Sequence, residues 1–384
     1  MTLRSCRGLG GVDFAASVER NDLKAAVLET MPGDLVIEDI AIDSPGPREV
    51  LVRTAAAGLC HSDLHYMEGN FPHPLPAVLG HESAGVVEEV GSLVDYVQPG
   101  DHVITCLSAF CGHCEQCLSG HPSLCDNSYG ELVRGREETP RLSRDGERVR
   151  QFLHLSSFAE QMLVHENTLV RINDEMPLDK ASLIGCAVTT GLGAVFRTAK
   201  VSAGETVVVI GCGGVGLSVI QGARIAGANR IVAVDMVDSK LDLAKELGAT
   251  HTMNSRDVDP VAAVMDLVPG GVHYAFEAIG LGQTAEQAFA MLRRGGQATV
   301  VGLIPDGIKV EIPGNELIWE KTLTGSNMGS NQFRTDMPRY VDMYLDGRLN
   351  LDAMVSKTIS LEEVNEGFAE MKTGTIARNV ISFE

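Results

Sequence analysis

The chain is short of positive charge. Of its 384 residues, 31 are Lys or Arg and 51 are Asp or Glu, which gives a formal net charge of −20 at pH 7. A surface this acidic repels phosphate backbones and anionic lipid headgroups. The charge balance therefore argues against a nucleic-acid-binding protein and against one held on an acidic membrane surface.

Long apolar runs are missing as well. No uninterrupted apolar stretch reaches the roughly 18 residues that a membrane-spanning helix needs. Residues 1–22 lack the apolar core of a secretory signal, so we interpret them as an N-terminal extension and predict a cytoplasmic location. In a reducing compartment, nine cysteines are better suited to metal binding or catalysis than to disulfides.

Hydrophobic patterning divides the chain into two kinds of structure. Residues 23–187 contain short alternating runs broken by Gly and Pro, such as Ser83–Val90, which predict an antiparallel β-barrel or sandwich. Residues 188–328 contain fully apolar runs separated by helix-length stretches, which predict a parallel sheet covered on both faces. Residues 329–384 return to mixed character. We predict a β-rich domain interrupted by an α/β domain.

A glycine-rich turn in the α/β segment has the context of a dinucleotide-binding site. Gly211, Gly213 and Gly216 form G-x-G-x-x-G between the apolar run Thr206–Ile210 and a predicted helix, and Asp235 follows about 20 residues later. The glycines allow the tight turn, the approach of the pyrophosphate and close helix packing. The helix N-terminus attracts phosphates. Asp235 binds the adenosine ribose and repels a 2′-phosphate, so we predict NAD.

Two interpretations stay open at this turn. A glycine-rich turn can also occur in some other α/β fold. Lys240 is placed to touch the same ribose, but an exposed lysine on a helix is the alternative.

Four cysteines lie close together in the β-rich segment. Cys111, Cys114, Cys117 and Cys125 have the spacing C-x2-C-x2-C-x7-C. Four thiolates suit a tetrahedral zinc ion with no position left for substrate, so we predict structural zinc in a lobe at residues 106–130. The alternatives are disulfides and an iron–sulfur cluster, whose bacterial motif ends with three residues before a Cys-Pro pair.

Three further residues have the donor types of a catalytic zinc site. Cys60, His81 and Cys186 lie in separate segments. Two thiolates and one imidazole leave the fourth position of a tetrahedral zinc open for water or substrate. Sequence spacing alone cannot bring them together, and burial as a small apolar residue is the commoner fate of an isolated cysteine.

With these motifs in order, the chain resembles the zinc-dependent medium-chain alcohol dehydrogenases from about Leu23 to Glu384. The resemblance rests on the four-cysteine lobe, the glycine-rich turn with Asp235, and four short stretches, Cys60–Asp63, Gly80–Glu82, Ile184–Cys186 and Arg378–Val380. It implies a fold of class α/β plus β, a GroES-like β-barrel catalytic domain with an inserted Rossmann dinucleotide-binding domain. It also implies one catalytic and one structural Zn2+ per chain, NAD, a small alcohol or aldehyde substrate, and a homodimer, with a homotetramer as the alternative.

The resemblance also assigns roles to single residues. The ligands of the catalytic zinc are Cys60, His81 and Cys186. The residues that support the reaction are Ser62, which contacts the alcohol, His65 at the outer end of a proton relay, Asp63, which orients the ligand histidine, and Glu82, the acid behind the metal. The further cofactor contacts are His61, Thr190 and Arg378.

Two departures from the family bear on the substrate. Phe71 and Tyr129 stand where relatives that oxidise glutathione–formaldehyde adducts tend to have an acid and an arginine. With Leu107 they indicate a mostly apolar pocket, so we predict a primary or aromatic alcohol, or the matching aldehyde. Because Arg134 and Arg136 lie nearby, a thiol-adduct formaldehyde dehydrogenase is the alternative.

Two alternatives come from other classes of protein. A catalytically inactive NAD-binding sensor would have lost a metal ligand, yet all three are present. A zinc-ribbon nucleic-acid module would need a basic face. Separately, the charged run Arg134–Arg150 has the composition of a solvated loop, and we predict it as one.

Overall fold

Eighteen strands lie in the part of the chain that the computed structural model describes, residues 21–374 and 376–383. Most of the predicted N-terminal extension lies outside the described residues. Numbered along the chain, the strands are β1 (Asn21–Leu28), β2 (Leu35–Ile42), β3 (Glu49–Gly58), β4 (Ala77–Val78), β5 (Ser83–Val90), β6 (His102–Thr105), β7 (Leu142–Arg144), β8 (Glu147–Gln151), β9 (Gln161–His165), β10 (Leu169–Arg171), β11 (Thr206–Ile210), β12 (Arg230–Asp235), β13 (His251–Asn254), β14 (Val272–Glu277), β15 (Leu292–Val300), β16 (Thr322–Gly325), β17 (Lys357–Ile359) and β18 (Asn379–Ser382).

The helices are concentrated in the second half of the chain. Short 3₁₀ turns join several elements, and the π-helical turns Ile184–Val188 and Ala194–Ala199 continue α4 and α5 into one run. The α-helices are α1 (His61–Met67), α2 (Glu115–Leu118), α3 (Ser128–Glu131), α4 (Leu178–Leu183), α5 (Thr189–Gly193), α6 (Gly214–Ile225), α7 (Asp238–Leu247), α8 (Pro260–Leu267), α9 (Gly282–Ala290), α10 (Phe333–Leu345) and α11 (Val364–Lys372).

The β-rich part consists of a closed barrel and a second sheet. Strands β1-β2-β7-β8-β4 close the barrel, and the second sheet has the order β10-β6-β5-β3-β18-β17, with β9 also paired to β3. Strand β3 is buried at every position except Arg53, because neighbouring elements cover both of its faces. Strand β18 runs antiparallel to β3, with Val380 opposite Gly58. The end of the chain therefore returns to the segment that leads into Cys60.

The α/β part is a parallel sheet of six strands in the order β13-β12-β11-β14-β15-β16. This is the strand order of a doubly wound dinucleotide-binding fold, in which ligands lie where the order reverses, here between β11 and β14. Strand β11 is almost fully apolar because helices cover both faces of the sheet. The predicted fold class is confirmed.

The helical run Leu178–Ala199 connects the two parts of the molecule. Among the described residues, this run alone is long and apolar enough to cross a membrane. However, 83% of its most apolar stretch is buried inside the protein. Its first part packs on β3 and β5, and its second part packs on α6. The domain boundary predicted between residues 187 and 188 falls inside this run and stays a prediction.

The prediction of a solvated loop at Arg134–Arg150 is wrong. The segment contains the hairpin of β7 and β8, which is part of the barrel. Arg141 is only 5% exposed, and its Nε donates to Glu49 Oε1 at 2.7 Å. Arg134 pairs with Glu49 and Asp43. The prediction failed because two of the charged residues of this segment, Arg134 and Arg141, are paired with carboxylates and can therefore be buried.

Candidate active site

Cys60, His81 and Cys186 come together inside the molecule. Their ligand atoms lie within 4.8 Å of one another, and the side chains are 6%, 0% and 5% exposed. Cys60 precedes α1, His81 precedes β5, and Cys186 lies in the π-helical turn Ile184–Val188. The pairing of β3 with β5 brings the first two segments side by side. We call these three residues the three-ligand cluster.

The donors of the three-ligand cluster fit a zinc ion. His81 Nε2 is buried and has no hydrogen-bond partner among the described residues. A hydrogen bond from Cys186 lowers the pKa of Cys60 well below its ordinary value, and the same contact raises the pKa of Cys186. Two sulfur ligands and one imidazole nitrogen form a zinc set with one position open for substrate.

Asp63 fixes the ring of His81. Its Oδ1 accepts hydrogen bonds from His81 Nδ1 at 3.0 Å and from the Gly80 N–H at 3.1 Å, and its Oδ2 accepts from the Cys60 N–H at 3.3 Å. Because Nδ1 is used in this way, Nε2 is the nitrogen left for a metal. Gly80 has φ +92°, and a Cβ there would lie 2.6 Å from the Phe158 nitrogen, so this approach requires glycine.

A buried ion pair lies beside the three-ligand cluster. Glu82 is fully buried and Arg378 is 3% exposed, and Glu82 Oε1 lies 3.1 Å from Arg378 Nε without hydrogen-bond alignment. Glu82 Oε2 accepts from the Ala187 N–H at 3.0 Å, and Arg378 Nη1 donates to the Leu59 carbonyl at 2.7 Å. Burial raises the pKa of Glu82 to about 7. The pair thus connects the segments that carry the two cysteine ligands.

Ser62 and His65 lie on one face of α1, three residues apart. Cys60 Sγ and Ser62 Oγ lie 3.7 Å apart. His65 is half-buried, and its Nδ1 accepts from Asn70 Nδ2 at 3.2 Å. Its ring also meets the ring of Phe71, with centroids 6.0 Å apart. The helix therefore presents a hydroxyl next to the three-ligand cluster and an imidazole farther out.

The glycine-rich turn leaves β11 at the point where the strand order reverses. Gly211 has φ +97°, and a Cβ on Gly216 would lie 1.8 Å from the Gly211 carbonyl oxygen, so α6 packs this closely only without a side chain. Open space surrounds the Cβ position of Gly213, which precedes α6. A Cβ on Gly214 would lie 2.7 Å from Arg378 Nη2. The guanidinium beside the three-ligand cluster therefore also faces the N-terminus of α6.

The other predicted cofactor contacts lie around the same cleft. Asp235 Oδ2 accepts from a backbone N–H of the glycine-rich turn at 2.7 Å, and Oδ1 accepts from the next two residues. Burial of its ring, together with the charges of Arg378 and Lys240, lowers the pKa of His61. Thr190 is 6% exposed and lies one helical turn after Cys186 of the three-ligand cluster.

The four-cysteine lobe also has the geometry of a metal site. The ligand atoms of its cysteines lie within 4.8 Å of one another, and the side chains are half-buried. Sγ atoms lie 3.9 Å apart between Cys111 and Cys117 and between Cys114 and Cys125. This matches the edge of about 3.8 Å of a tetrahedron with Zn–S bonds of about 2.3 Å. A disulfide would need about 2.05 Å, so all four thiols are free.

Sequence reasoning named Phe71 as a pocket residue but missed Phe152, whose ring lies beside His81, and Tyr66. The ring of Phe152 contacts His81, Tyr66 and His73, with centroids 5.8, 4.7 and 5.5 Å apart. No motif or spacing connects Phe152 to His81, because the contact exists only after β8 pairs with β4 to close the barrel. We call Phe152, Tyr66 and Phe71 the aromatic wall, since Tyr66 also meets Phe71 at 5.7 Å.

Comparison with known proteins identifies the family. An alcohol dehydrogenase GroES-like domain matches residues 46–174, and a zinc-binding dehydrogenase domain matches residues 214–345. The class-3 alcohol dehydrogenase of Cereibacter sphaeroides is 37% identical, over 94% of this chain and 99% of its own length. The chain belongs to the zinc-dependent medium-chain alcohol dehydrogenase family.

Two further relatives of this alcohol dehydrogenase differ in their named substrates. The S-(hydroxymethyl)glutathione dehydrogenase of Paracoccus denitrificans is 36% identical, over 94% of this chain and 99% of its own length. The benzyl alcohol dehydrogenase of Acinetobacter calcoaceticus superposes with a TM-score of 0.90 at 35% identity, over 95% of this chain and all of its own.

Family membership settles several predictions. The enzyme is an NAD-dependent zinc alcohol dehydrogenase that acts on small alcohols or aldehydes, so the predicted enzyme class and its cofactors are confirmed. The alternatives of an inactive sensor and a zinc-ribbon module find no support. The roles of single residues stay predictions.

Proposed function

We propose that this alcohol dehydrogenase oxidises primary or aromatic alcohols with NAD, or reduces the matching aldehydes. The aromatic wall carries the proposal, because the ring of Phe152 lies beside His81 and the ring of Tyr66 packs against Phe152. The ring of an aromatic alcohol would make favourable contacts with these aromatic side chains. The similarity to a benzyl alcohol dehydrogenase supports this substrate class.

The chain's own residues then perform separate tasks in the reaction. Bound zinc supplies a Lewis acid that lowers the pKa of the alcohol, and NAD supplies the hydride acceptor. Cys60, His81 and Cys186 hold the metal, while Asp63 keeps the His81 ring in place. Ser62 Oγ lies next to the three-ligand cluster and takes the proton of the substrate hydroxyl. His65, on the same face of α1 and half-exposed, passes that proton outward.

NAD binds across the glycine-rich turn. Arg378 and Lys240 add positive charge near the N-terminus of α6, where backbone N–H groups favour the pyrophosphate. His61 lies in the same group, and Thr190 adds a contact at the nicotinamide end. The carboxylate of Asp235 repels a 2′-phosphate, so activity with NAD should exceed activity with NADP at least tenfold.

A second candidate is a formaldehyde dehydrogenase that acts on a thiol adduct. The similarity to an S-(hydroxymethyl)glutathione dehydrogenase favours it. Phe71 and Tyr129 count against it, because they replace the acid and the arginine that such relatives tend to have.

A screen of NADH formation tests the two candidates together. Ethanol, octanol and benzyl alcohol are assayed with NAD, and formaldehyde is assayed with and without glutathione. We expect kcat/KM for benzyl alcohol to exceed that for ethanol at least tenfold, because a buried ring adds apolar contact. Turnover only in the presence of formaldehyde and glutathione would favour the second candidate instead.

The proposal includes a homodimer in the cytoplasm, with a homotetramer as the alternative. The turn Gly314–Trp319 exposes Leu317, Ile318 and Trp319 by 49%, 79% and 47%, directly before β16. Among the described residues, β16 pairs only with β15, so its outer edge is free. Exposed apolar side chains beside a free strand edge favour pairing with a second copy. Light scattering coupled to size exclusion measures the mass, and a monomer at micromolar concentration would contradict a dimer.

A further inference from the structure

A pocket of about 400 Å³ lies next to the aromatic wall and is separate from the three-ligand cluster. Tyr66 belongs to both, because its ring meets Phe152 and also lines the pocket. Besides Tyr66, the lining includes His73, His154 and four arginines, Arg134, Arg141, Arg148 and Arg150. No acidic residue lines the pocket, although the whole chain has a net charge of −20.

Two of the four arginines have no carboxylate partner. Arg134 and Arg141 are paired with Glu49. Arg148 Nη2 instead donates to backbone carbonyls, with distances of 3.0 and 2.8 Å to two of them, and these leave its charge uncompensated. The Arg150 backbone N–H donates to the Pro76 carbonyl, but its guanidinium has no hydrogen-bond or ion-pair partner among the described residues, and the residue is exposed. The pocket therefore offers two positive charges to a ligand.

Two histidine nitrogens in the lining are also without partners. His154 is 3% exposed, and its buried Nδ1 has no hydrogen-bond partner among the described residues. The same holds for the buried Nε2 of His73. Burial lowers the pKa of His154 to about 4, so its ring is neutral at pH 7. A buried polar atom without a partner is unfavourable and is normally satisfied by a ligand or by water.

The backbone beside these groups is in an unusual conformation. Leu153 and His154 have φ of +48° and +68°, in the left-handed region that side chains other than glycine rarely adopt. Hydrogen bonds from the Phe152 N–H to Ser156 Oγ and from Ser156 Oγ to the Val78 carbonyl hold this loop to the barrel. Such strain persists where the surrounding structure fixes it, and it concentrates at ligand sites.

The pocket adjoins the side chains that lead to the three-ligand cluster. Tyr66 lines the pocket, its ring lies 4.7 Å from that of Phe152, and the Phe152 ring lies 5.8 Å from that of His81. The aromatic wall therefore connects the pocket with the three-ligand cluster.

We propose that this pocket binds the carboxylate end of an extended substrate, with Arg148 and Arg150 as its counter-charges, while the alcohol end reacts at the three-ligand cluster. The inference rests on the proposed function and narrows it from alcohols in general to alcohols with an anionic end. Two sources share this chemistry. One is an alcohol that has its own carboxylate, and the other is the formaldehyde adduct of a thiol that has carboxylates.

A matched pair of substrates tests the pocket. We compare kcat/KM for 4-(hydroxymethyl)benzoate and for benzyl alcohol in the wild type, in Arg150→Gln and in Arg136→Gln. The last variant removes the same charge from a neighbouring loop outside the lining. The wild type should prefer the carboxylated alcohol, and Arg150→Gln should reduce that preference about tenfold or more, because a charge-assisted contact is lost. Arg136→Gln should keep the preference within twofold.

A second pair separates the two sources of the carboxylate. Formaldehyde is assayed with glutathione and with 2-mercaptoethanol, which forms an adduct without a carboxylate. A preference for the anionic partner in either pair, reduced in Arg150→Gln, supports the pocket and shows which source applies. Equal ratios in the wild type and Arg150→Gln in both pairs would overturn it.

Substrate binding can be measured in the absence of turnover, so the pocket can be tested independently of the proposed function. Calorimetric titration with 4-(hydroxymethyl)benzoate, in the absence of NAD, should show weaker binding to Arg150→Gln than to the wild type and Arg136→Gln. If no alcohol is oxidised by any form, the proposed function fails while this titration still reports on the pocket. Equal affinity in all three forms would show that Arg150 does not bind the carboxylate, which would overturn the proposal.

Discussion

The two groups of cysteine ligands are built in opposite ways. The four-cysteine lobe takes its ligands from one loop, leaves them half-buried, and places backbone N–H groups of that loop on the sulfur atoms, at 3.2 Å for Cys111 to Cys125 and 3.3 Å for Cys114 to Cys111. The three-ligand cluster takes its residues from three distant segments and buries all of them. Its neighbours are charged side chains rather than backbone groups.

This difference follows from what each site has to do. A closed four-thiolate site only joins the parts of one loop, so local structure is sufficient. An open site must hold the ligands at fixed distances from a substrate, and that requires rigid elements and orienting side chains. Asp63, Glu82 and Arg378 are each at most 3% exposed, and burial of charge is costly unless every group has a partner. The three-ligand cluster therefore depends for its support on the barrel, the second sheet and the helical run together.

The largest expected effect separates the two sites by activity. In Cys186→Ser, the chain should lose about one zinc per molecule and at least about 10⁴-fold in kcat, because the Lewis acid is no longer held correctly. Cys106→Ser is the matched control, since Cys106 is also buried and is not one of the ligand residues in either group. Zinc content and NADH formation are measured together. Full turnover in Cys186→Ser would show that the three-ligand cluster is not the reaction site.

The next effect separates the two sites by stability. In Cys114→Ser, the lobe should lose its zinc, and the free energy of unfolding should fall by on the order of 5 kcal/mol, since metal binding contributes to folding. Urea unfolding and zinc content of the same sample measure both effects. His113→Ala is the control, because His113 lies in the same loop but is exposed and bonded to Glu131 at 2.7 Å. An unchanged unfolding curve in Cys114→Ser would mean that the lobe is not a structural metal site.

The contrast also explains what could be predicted from sequence. The lobe and the glycine-rich turn were visible because their chemistry depends on local spacing, and Gly216 packs on Gly211 as that spacing requires. The three-ligand cluster was found through family resemblance, because nothing local connects Cys60 with Cys186. Phe152 and Tyr66 of the aromatic wall and the buried pairing of Arg141 with Glu49 were missed, since these contacts depend on closure of the barrel.

Glu49, Arg134 and Arg141 form a third group of buried charges, which contains no thiol and no predicted metal ligand. Burial raises the pKa of Glu49, but hydrogen bonding from Arg134 and the charge of Arg141 outweigh it and lower the pKa to about 2. The native state thus favours the ionised form, and its stabilisation is complete above about pH 4.5 and is lost as the pH falls towards 2. The expected loss is about 3 kcal/mol.

Comparison with Glu49→Gln isolates this contribution. Urea unfolding is measured for both proteins between pH 7 and pH 3. Loss of zinc in acid affects both proteins equally and therefore cancels in the difference between their free energies of unfolding. The variant should be less stable at pH 7, because it leaves Arg141 buried without its partner. The difference between the two proteins should shrink as the pH falls. A difference that is constant with pH would show that Glu49 is not ionised by its arginines.

The smallest effect concerns the side chains behind the ligands. Asp63→Asn keeps the size of the side chain and an oxygen for His81 Nδ1, but it removes the negative charge that orients and polarises the ring. Zinc affinity and kcat should fall by about 10- to 100-fold. In the lobe, the corresponding neighbour is Asn127, whose Nδ2 lies 3.8 Å from Cys111 Sγ. Asn127→Ala should leave turnover unchanged, because the lobe depends on its own backbone. Chelator competition gives the zinc affinities, and equal losses in the two variants would mean that both sites rely on side-chain support to the same degree.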